Sequence, residues 1–341
     1  AIIDTGFTYS TKVYKDKNTL YLVGGGDPDL TLSTLDSLAQ IISQTGNQYQ
    51  NLILDDSFHD EQTYGEGWMW DEGSWWYAAQ ISALSVNDNC VDFYVSPGDL
   101  NDPAKIISHP NTKYIDLINR SKTVNKTTGF EKFKIERDWK NQSNQFSISG
   151  FLMDTSSTDT IFRNVNDPTL FTGTVFNEML NTKGLNIQNI KKGILSKTAD
   201  IVAKHTSESI IHSLGNLMVE SDNLTAELTV KLIGQQVTGR QGNWDNGLTA
   251  VKSFLNDEVG IDTAVISMKD GSGISRYNYS SPSDFIQLLT WAYNTPTIRN
   301  NFIHTLPKGG KDGTLNRGNF SKNVVAKTGS LSSVTSLSVY V

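Results

Sequence analysis

Apolar residues recur along this chain with two periods, that of a strand and that of a helix. Residues 7–14 and 19–23 alternate as strands do, and residues 33–46 place apolar side chains at helical spacing before a glycine. A second helix is predicted over residues 167–184, again ended by a glycine. Residues 105–144 are polar, with short alternating runs typical of β-structure. The pattern predicts a protein that mixes strands and helices.

Two amphipathic helices are predicted on either side of the tripeptide Ser221-Asp222-Asn223. Apolar residues recur at helical spacing over residues 210–218 before it and over residues 224–233 after it. The tripeptide therefore lies in a short break between the two helices. Taken alone it is equally well an ordinary helix N-cap, because Ser, Asp and Asn all favour that position.

Residues 324–341 predict a β-hairpin that carries Lys327-Thr328-Gly329-Ser330. Two runs rich in β-branched residues are joined by a Gly/Ser turn. On a strand, Lys327 offers a positive charge to a carboxylate, and Gly329 lets a ligand backbone approach closely. A solvated lysine at a strand edge is the ordinary alternative.

Ser-Asp-Asn followed by Lys-Thr-Gly is the order of two of the three signatures of penicillin-recognising serine enzymes. The chain resembles the class C low-molecular-mass penicillin-binding proteins, the D-alanyl-D-alanine carboxypeptidase/endopeptidases of bacterial peptidoglycan. The resemblance extends over nearly the whole chain. It is carried by LYLVGGGDPDL at 20–30, ALSVNDNCV at 83–91, SDNLTAE at 221–227, DGSGISR at 270–276, GTLNR at 313–317 and AKTGS at 326–330.

The third signature of that family, Ser-x-x-Lys, does not occur anywhere in the sequence. In the family its serine attacks the substrate, and its lysine lies one helical turn on and takes the proton. The motif lies shortly before the segment that residues 1–30 resemble, so we expect the nucleophile to precede Ala1. The chain is then a fragment that is inactive by the acyl-enzyme route. A pseudoenzyme that has lost its serine is the alternative.

The resemblance implies an α+β fold of the β-lactamase/transpeptidase type, with an antiparallel sheet flanked by helices. It also implies β-rich accessory domains inserted before the Ser-Asp-Asn motif. We expect residues 1–195 to form the inserted accessory region, as two nested subdomains. Residues 196–341 are expected to form the incomplete penicillin-binding, transpeptidase-like catalytic domain.

The resemblance also implies roles for the motif residues. Ser221 would relay a proton to the leaving amine, and Asn223 would hydrogen-bond the backbone of the substrate. Lys327 would hold a charge beside the nucleophile, and Thr328 would bind the terminal carboxylate. The backbone N–H of Ser330 would form half of an oxyanion hole.

The expected activity is that of a serine D-Ala-D-Ala carboxypeptidase/DD-endopeptidase that works through an acyl-enzyme and binds β-lactams. Its partners would be peptidoglycan peptides that end in D-Ala-D-Ala, and its location would be outside the cytoplasm. No metal or organic cofactor is required. The alternative, from another class of protein, is a non-catalytic peptidoglycan-binding or scaffold protein.

Composition removes several other function classes. The chain has 341 residues and a formal net charge of −7, which argues against a nucleic-acid partner. Its apolar runs are all shorter than the roughly 18–20 residues that span a membrane. The single cysteine, Cys90, excludes an internal disulfide and a thiolate zinc site.

Residues 64–77 concentrate aromatic side chains, among them Trp68, Trp70, Trp75 and Trp76. Tryptophans this close in sequence most often pack in a core or in a seam between domains. They also form surfaces that stack on sugar rings, which would suit a glycan polymer. The sequence leaves both interpretations open.

Overall fold

The structure is a computed structural model that describes residues 2–126, 131–316 and 320–341. Arg317, the last residue of the GTLNR stretch, lies outside the described residues. The strands are β1 Thr8–Asp16, β2 Thr19–Val23, β3 Asn51–Asp55, β4 Cys90–Ser96, β5 Lys105–His109, β6 Asp116–Asn119, β7 Lys122–Val124, β8 Lys134–Arg137, β9 Gln145–Ser149, β10 Phe151–Met153, β11 Asp159–Asn164, β12 Asn189–Lys192, β13 Asp200–Ser209, β14 Val325–Leu331 and β15 Val334–Tyr340. The α-helices are α1 Leu32–Ser43, α2 Pro168–Thr182, α3 Ile210–Asn216, α4 Asn223–Thr238, α5 Trp244–Phe254, α6 Pro282–Asn294 and α7 Pro296–Thr305.

The largest sheet has five strands in the order β12-β3-β2-β1-β13. Strand β1 runs antiparallel to β2 and β13, whereas β2, β3 and β12 run parallel to one another. Parallel neighbours need long crossover connections, and these connections carry α1 and α2. The predicted α+β class is confirmed, but only one side of this sheet is antiparallel.

The main core lies where helices α1 and α2 pack on this sheet. Strand β3 contributes Leu52 and Leu54, and helix α2 contributes Phe171 and Phe176, all of them fully buried. The predicted helix at 167–184 forms because Asp167 caps it, accepting a hydrogen bond from the Leu170 N–H at 3.1 Å. The apolar stripe of α2 then faces the sheet.

The middle of the chain is β-rich, as predicted. One small sheet has the order β11-β4-β5 and another the order β6-β9-β8, while β7 and β10 pair with each other. Phe93 of β4 and Phe146 of β9 meet with ring centroids 5.1 Å apart and belong to the same core as β3 and α2. The middle region is therefore packed onto the five-stranded sheet.

The last third of the chain is mainly helical and ends in the predicted hairpin. Helices α4 and α5 pack together through Leu228, Trp244 and Leu248. Strand β14 pairs antiparallel with β15, with Lys327 opposite Ser338. No helix in the described part of the chain is long and apolar enough to cross a membrane.

Strands β1 and β13 pair across the boundary expected between residues 195 and 196. Val13 of β1 lies opposite Ala203 of β13 in one continuous sheet. The N-terminal strand therefore shares backbone hydrogen bonds with the segment that leads into α3. The division into residues 1–195 and 196–341 stays a prediction.

Replacing Leu54 by alanine should lower the free energy of unfolding by about 2–5 kcal/mol. Leu54 of β3 is fully buried in the core that β3 forms with α2. The shortened side chain therefore leaves a cavity that the packed core cannot close. Chemical denaturation measures the effect. The control Leu100→Ala, at a leucine that is 50% exposed, should change stability by less than about 0.5 kcal/mol. Equal losses in the two variants would contradict this packing.

Candidate active site

Ser221 lies at a break between two helices, as the sequence predicted. Helix α3 continues into one π-helical turn, Leu217–Ser221, and the chain then leaves the helix because Ser221 adopts a φ of 60°. This left-handed conformation is uncommon for a residue with a side chain and marks a constrained position. Asp222 starts α4 by accepting hydrogen bonds from the N–H groups of Leu224 and Thr225.

Lys327 of β14 contacts this break directly. Its Nζ donates a hydrogen bond to Ser221 Oγ at 2.7 Å and another to the Thr328 carbonyl at 2.8 Å. No carboxylate of the described residues forms an ion pair with Lys327. Burial lowers the pKa of Lys327. The amine is thus positioned to exchange a proton with Ser221 or to attract an anionic ligand.

Thr328 reaches a third segment of the chain. Its hydroxyl donates to Thr314 Oγ1 at 2.7 Å. The turn that carries Thr314 is pressed against the π-helical turn: a Cβ added at Gly313, whose φ is 44°, would lie 2.0 Å from the Val219 carbonyl oxygen. The sequence pattern gave Thr314 no role, although it lies in the GTLNR stretch. Only the fold brings its hydroxyl beside Thr328.

Asn223 is close to Ser221 but points towards the aromatic segment. Its Nδ2 donates to the Tyr77 carbonyl at 2.9 Å. In the structure Asn223 therefore joins the Ser-Asp-Asn break to residues 64–77. Tyr77 was not singled out from the sequence, and no local pattern identifies its carbonyl as a partner.

Gly329 and Ser330 continue β14 beyond Lys327. They lie opposite Ser336 and Thr335 of β15, and a Cβ at Gly329 would meet Ser336 Oγ at 2.5 Å. Among the strands of the described ranges, β15 is the only partner of β14. On its other edge the first residues of β14 are covered, because Lys308 forms a bridge with Val325 and the Ala326 N–H donates to the Pro307 carbonyl at 3.0 Å. From Lys327 onward this edge has no partner strand in the described ranges and is available for an extended ligand, which is how peptides add to sheets.

Glu227 joins the helix that starts at Asn223 to the 270–276 loop. This fully buried carboxylate accepts hydrogen bonds from Trp244 Nε1 at 2.7 Å and from the N–H groups of Gly271 and Ser272 at 2.8 Å. Burial and the nearby Asp270 carboxylate raise the pKa of Glu227. The carboxylate therefore fixes the position of the loop relative to α4.

The 270–276 loop contacts the hairpin in turn. Arg276 Nη1 donates to the Ser332 carbonyl, between β14 and β15, at 3.1 Å. Asp270 holds the loop's own shape by accepting from Ser275 N at 2.6 Å and from Trp68 Nε1 at 3.0 Å. The stretch that the sequence identified as DGSGISR thus connects the two halves of the site.

The glycine-rich stretch at 24–29 positions the helix that leads to Ser221. Asp29 Oδ2 accepts a hydrogen bond from Ser213 Oγ of α3 at 2.5 Å, and Asp29 Oδ1 accepts one from Asn216 at 3.4 Å. Burial raises the pKa of Asp27 to about 6. His205 Nε2 lies 3.6 Å from Asp27 Oδ2. Because burial lowers the pKa of this imidazole, His205 balances the negative charge of Asp27 only weakly.

The site therefore offers the Ser221 hydroxyl, the Lys327 amine, whose pKa is lowered by burial, and the paired hydroxyls of Thr328 and Thr314. It also offers a strand edge that is open from Lys327 onward. These groups suit proton relay and the recognition of an extended anionic peptide. The described ranges contain no group of three or more His, Cys, Asp or Glu side chains arranged to hold a metal ion.

Comparisons with known proteins identify the family of the chain. The family model described as "D-Ala-D-Ala carboxypeptidase 3 (S13) family" matches residues 1–341, which confirms the predicted resemblance. The chain is 32% identical over 343 residues to a D-alanyl-D-alanine carboxypeptidase of Actinomadura sp., covering 94% of this chain and 63% of that protein. The chain thus spans less than two thirds of this curated relative.

Solved structures agree in fold. Penicillin binding protein 4 from Haemophilus influenzae matches with a TM-score of 0.81 and 23% identity, over 98% of this chain and 76% of that one. The same protein complexed with a novel beta-lactam matches with a TM-score of 0.72 and 21% identity, over 96% and 74% of the two chains. The predicted transpeptidase-like fold is confirmed.

Replacing Glu227 by glutamine should lower the free energy of unfolding by about 1–3 kcal/mol. The glutamine NH₂ group cannot accept a hydrogen bond, so at least one of the three N–H donors loses its acceptor. Urea denaturation of this variant and of the exposed control Glu258→Gln measures the loss of unfolding free energy. An unchanged midpoint for Glu227→Gln would rule out the anchoring role.

Replacing Asp27 by asparagine should remove a pH dependence of stability. Because the folded pKa of about 6 exceeds the reference value of 3.8, the contribution of Asp27 is fully present below pH 3.8 and is lost as pH rises through 6. The variant should therefore gain up to about 3 kcal/mol relative to the parent between pH 4 and 7. Denaturation at several pH values measures the difference. For the exposed control Asp99→Asn, the curve of unfolding free energy against pH should run parallel to that of the parent. A parallel curve for Asp27→Asn would contradict the raised pKa of Asp27.

Proposed function

Because the chain belongs to the D-Ala-D-Ala carboxypeptidase 3 (S13) family, we propose that it forms part of a serine D-Ala-D-Ala carboxypeptidase/DD-endopeptidase. The observation that carries the proposal is the hydrogen bond of 2.7 Å between Lys327 Nζ and Ser221 Oγ, residues that are 106 positions apart. The two signatures that are separate in sequence thereby share one site. Their contact is what a proton relay beside a nucleophile requires.

The reaction has two steps. A serine oxygen attacks the carbonyl carbon of the penultimate D-alanine, and the C–N bond to the last D-alanine breaks. The leaving nitrogen takes the proton that the serine hydroxyl gave up. Water then hydrolyses the ester and returns a proton to the serine oxygen.

The described residues contribute to both steps. Lys327 keeps a positive charge beside Ser221, and Ser221 passes the proton to the leaving amine. Thr328, supported by Thr314, holds the terminal carboxylate of the substrate at the open edge of β14. Asn223 gives up its hydrogen bond to the Tyr77 carbonyl and bonds the substrate backbone instead. The N–H of Ser330 supplies half of the oxyanion hole.

The nucleophile is proposed to be the serine of a Ser-x-x-Lys motif that precedes Ala1, since the sequence given has no such motif. By itself the chain would then form no acyl-enzyme. A peptidoglycan-binding protein without catalysis is the second candidate, and the absence of this motif from the sequence is what favours it.

The proposed partners are peptidoglycan stem peptides that end in D-Ala-D-Ala and β-lactams. The β-lactam complex of the Haemophilus influenzae penicillin binding protein 4 supports the second of these. Because peptidoglycan lies outside the cytoplasm, the proposed location is extracytoplasmic.

Intact-mass measurement after incubation with benzylpenicillin tests the function. The chain is compared with a version extended upstream to its native start. One penicilloyl adduct on the extended version alone is the expected result. An adduct on neither would eliminate the acyl-enzyme and favour the binding protein. An adduct on Ser221 of the shorter chain would make Ser221 the nucleophile.

In the extended protein, Ser221→Ala and Lys327→Ala should each slow acylation by benzylpenicillin about a hundredfold or more, because each removes one member of the proton relay. Stopped-flow or gel-labelling rates give the comparison. The exposed Lys322→Ala, five residues before Lys327, serves as a control for loss of a lysine and should keep the parent rate. Normal acylation by Lys327→Ala would exclude the relay.

A further inference from the structure

Three tryptophans of the aromatic segment are exposed to an unusual degree. Trp70 is 71% exposed, Trp75 46% and Trp76 45%, although large aromatic side chains are normally buried for most of their surface. Trp68 behaves differently, since it packs against Trp244 in the core with α4 and α5. The packed-core interpretation therefore applies to Trp68 and fails for its three neighbours.

The exposed rings form two groups, and one of them includes a residue from the middle region. Trp70 and the partly exposed Trp139 lie 5.2 Å apart, and Lys140 Nζ is 5.9 and 5.5 Å from their ring centroids. We call Trp70, Trp75, Trp76 and Trp139 the aromatic platform. Exposed aromatic side chains grouped in one segment, with polar residues beside them, are typical of an interaction site.

Tyr77 connects the platform's other two rings. Trp75 stacks on Tyr77 with an interplanar angle of 12° and a centroid distance of 6.2 Å. Trp76 meets Tyr77 edge to face at 5.8 Å. The Arg163 guanidinium also lies over the Trp75 ring, 4.5 Å from its centroid. Protein groups therefore hold Trp75 in place and cover part of its ring, whereas Trp76 meets only the edge of Tyr77.

The backbone under the platform is held by a buried side chain. Asn164 is fully buried, and its Nδ2 lies within hydrogen-bond distance of the carbonyl oxygens of Gly73 at 3.2 Å, Trp75 at 2.8 Å and Ala78 at 3.1 Å. Its Oδ1 accepts two hydrogen bonds from the buried Arg137. The tryptophans are therefore displayed on a fixed backbone, which reduces the entropy that binding would cost.

The backbone of Tyr77, next to Trp75 and Trp76 in the chain, also contacts the candidate active site. The Tyr77 carbonyl accepts the hydrogen bond from Asn223, two residues after Ser221. The segment that carries Trp70, Trp75 and Trp76 is thus hydrogen-bonded to the Ser-Asp-Asn break.

We propose that the aromatic platform binds the glycan strand of peptidoglycan by stacking its sugar rings on the indoles. The proposal rests on the proposed function, because the stem peptide that enters the site is attached to that strand. Sugar rings present apolar C–H faces edged with hydroxyl and amide groups, which match indole faces rimmed by the exposed Asp71 and Lys140. An anionic membrane suits the surface less well, since the chain carries a net charge of −7.

Binding of the full chain to peptide-free glycan strands, prepared by removing every stem peptide from peptidoglycan with an amidase, tests the platform alone. We expect Trp70→Ala and Trp76→Ala each to weaken this binding roughly three- to tenfold. Trp76→Tyr keeps an aromatic face and should restore most of it. Phe285→Ala, at an aromatic residue of α6 that is 49% exposed, should bind like the parent.

The outcomes separate this proposal from the proposed function. Tryptophan-dependent glycan binding supports the platform even if the upstream-extended protein forms no penicilloyl adduct. Glycan binding that is absent in the parent, or unchanged in both alanine variants, overturns it even if acylation is normal. The proposal is also overturned if the parent binds anionic vesicles or another protein, and not glycan, and the same two alanine variants lose that binding.

Discussion

The contact between Lys327 Nζ and Ser221 Oγ requires three parts of the chain to meet at one point. Ser221 is available only because the helix before it ends in a π-helical turn and the serine takes a left-handed conformation. Lys327 is held in place because β14 is fixed by β15, by the loop that carries Arg276 and by backbone hydrogen bonds with residues 307–309. An amine held beside a hydroxyl, partly out of water and without an ionic partner among the described side chains, is poised for proton transfer. The rest of the site serves to keep these two groups together.

Carboxylates, one of them the buried Glu227, do much of this work. Glu227 collects three N–H donors and so fixes the 270–276 loop on α4, while Asp29 fastens α3 to the glycine-rich stretch. A buried carboxylate is costly unless hydrogen bonds replace its water, and here backbone and side-chain donors do so. Such anchors connect segments that are far apart in sequence. They allow a strained serine and a partly desolvated lysine to persist at the surface.

The backbone of the aromatic segment is also fixed by hydrogen bonds, but here the result is that side chains remain exposed. Its backbone is fixed by Asn164 and its inner end by Asn223, so its tryptophans cannot collapse into the core. The protein thus keeps exposed tryptophans in a segment that is hydrogen-bonded to the Ser-Asp-Asn break. A catalytic centre and a polymer-binding surface would then share one rigid support, and a substrate strand held by its sugars would present its peptides to Ser221.

The sequence by itself determined the local structure around the site. The helix break at Ser221, the hairpin with Lys327 and the helix at 167–184 follow from hydrophobic period and turn residues, which are local properties. It also determined the family, because Ser-Asp-Asn and Lys-Thr-Gly keep their order. Tertiary structure alone decided that Thr314 meets Thr328, that Asn223 faces Tyr77 and that β2, β3 and β12 run parallel. Exposure of Trp70 but not Trp68 was decided there too. Each of these depends on which distant segments pack together, and a periodic pattern records only which face of an element is apolar, not what covers it.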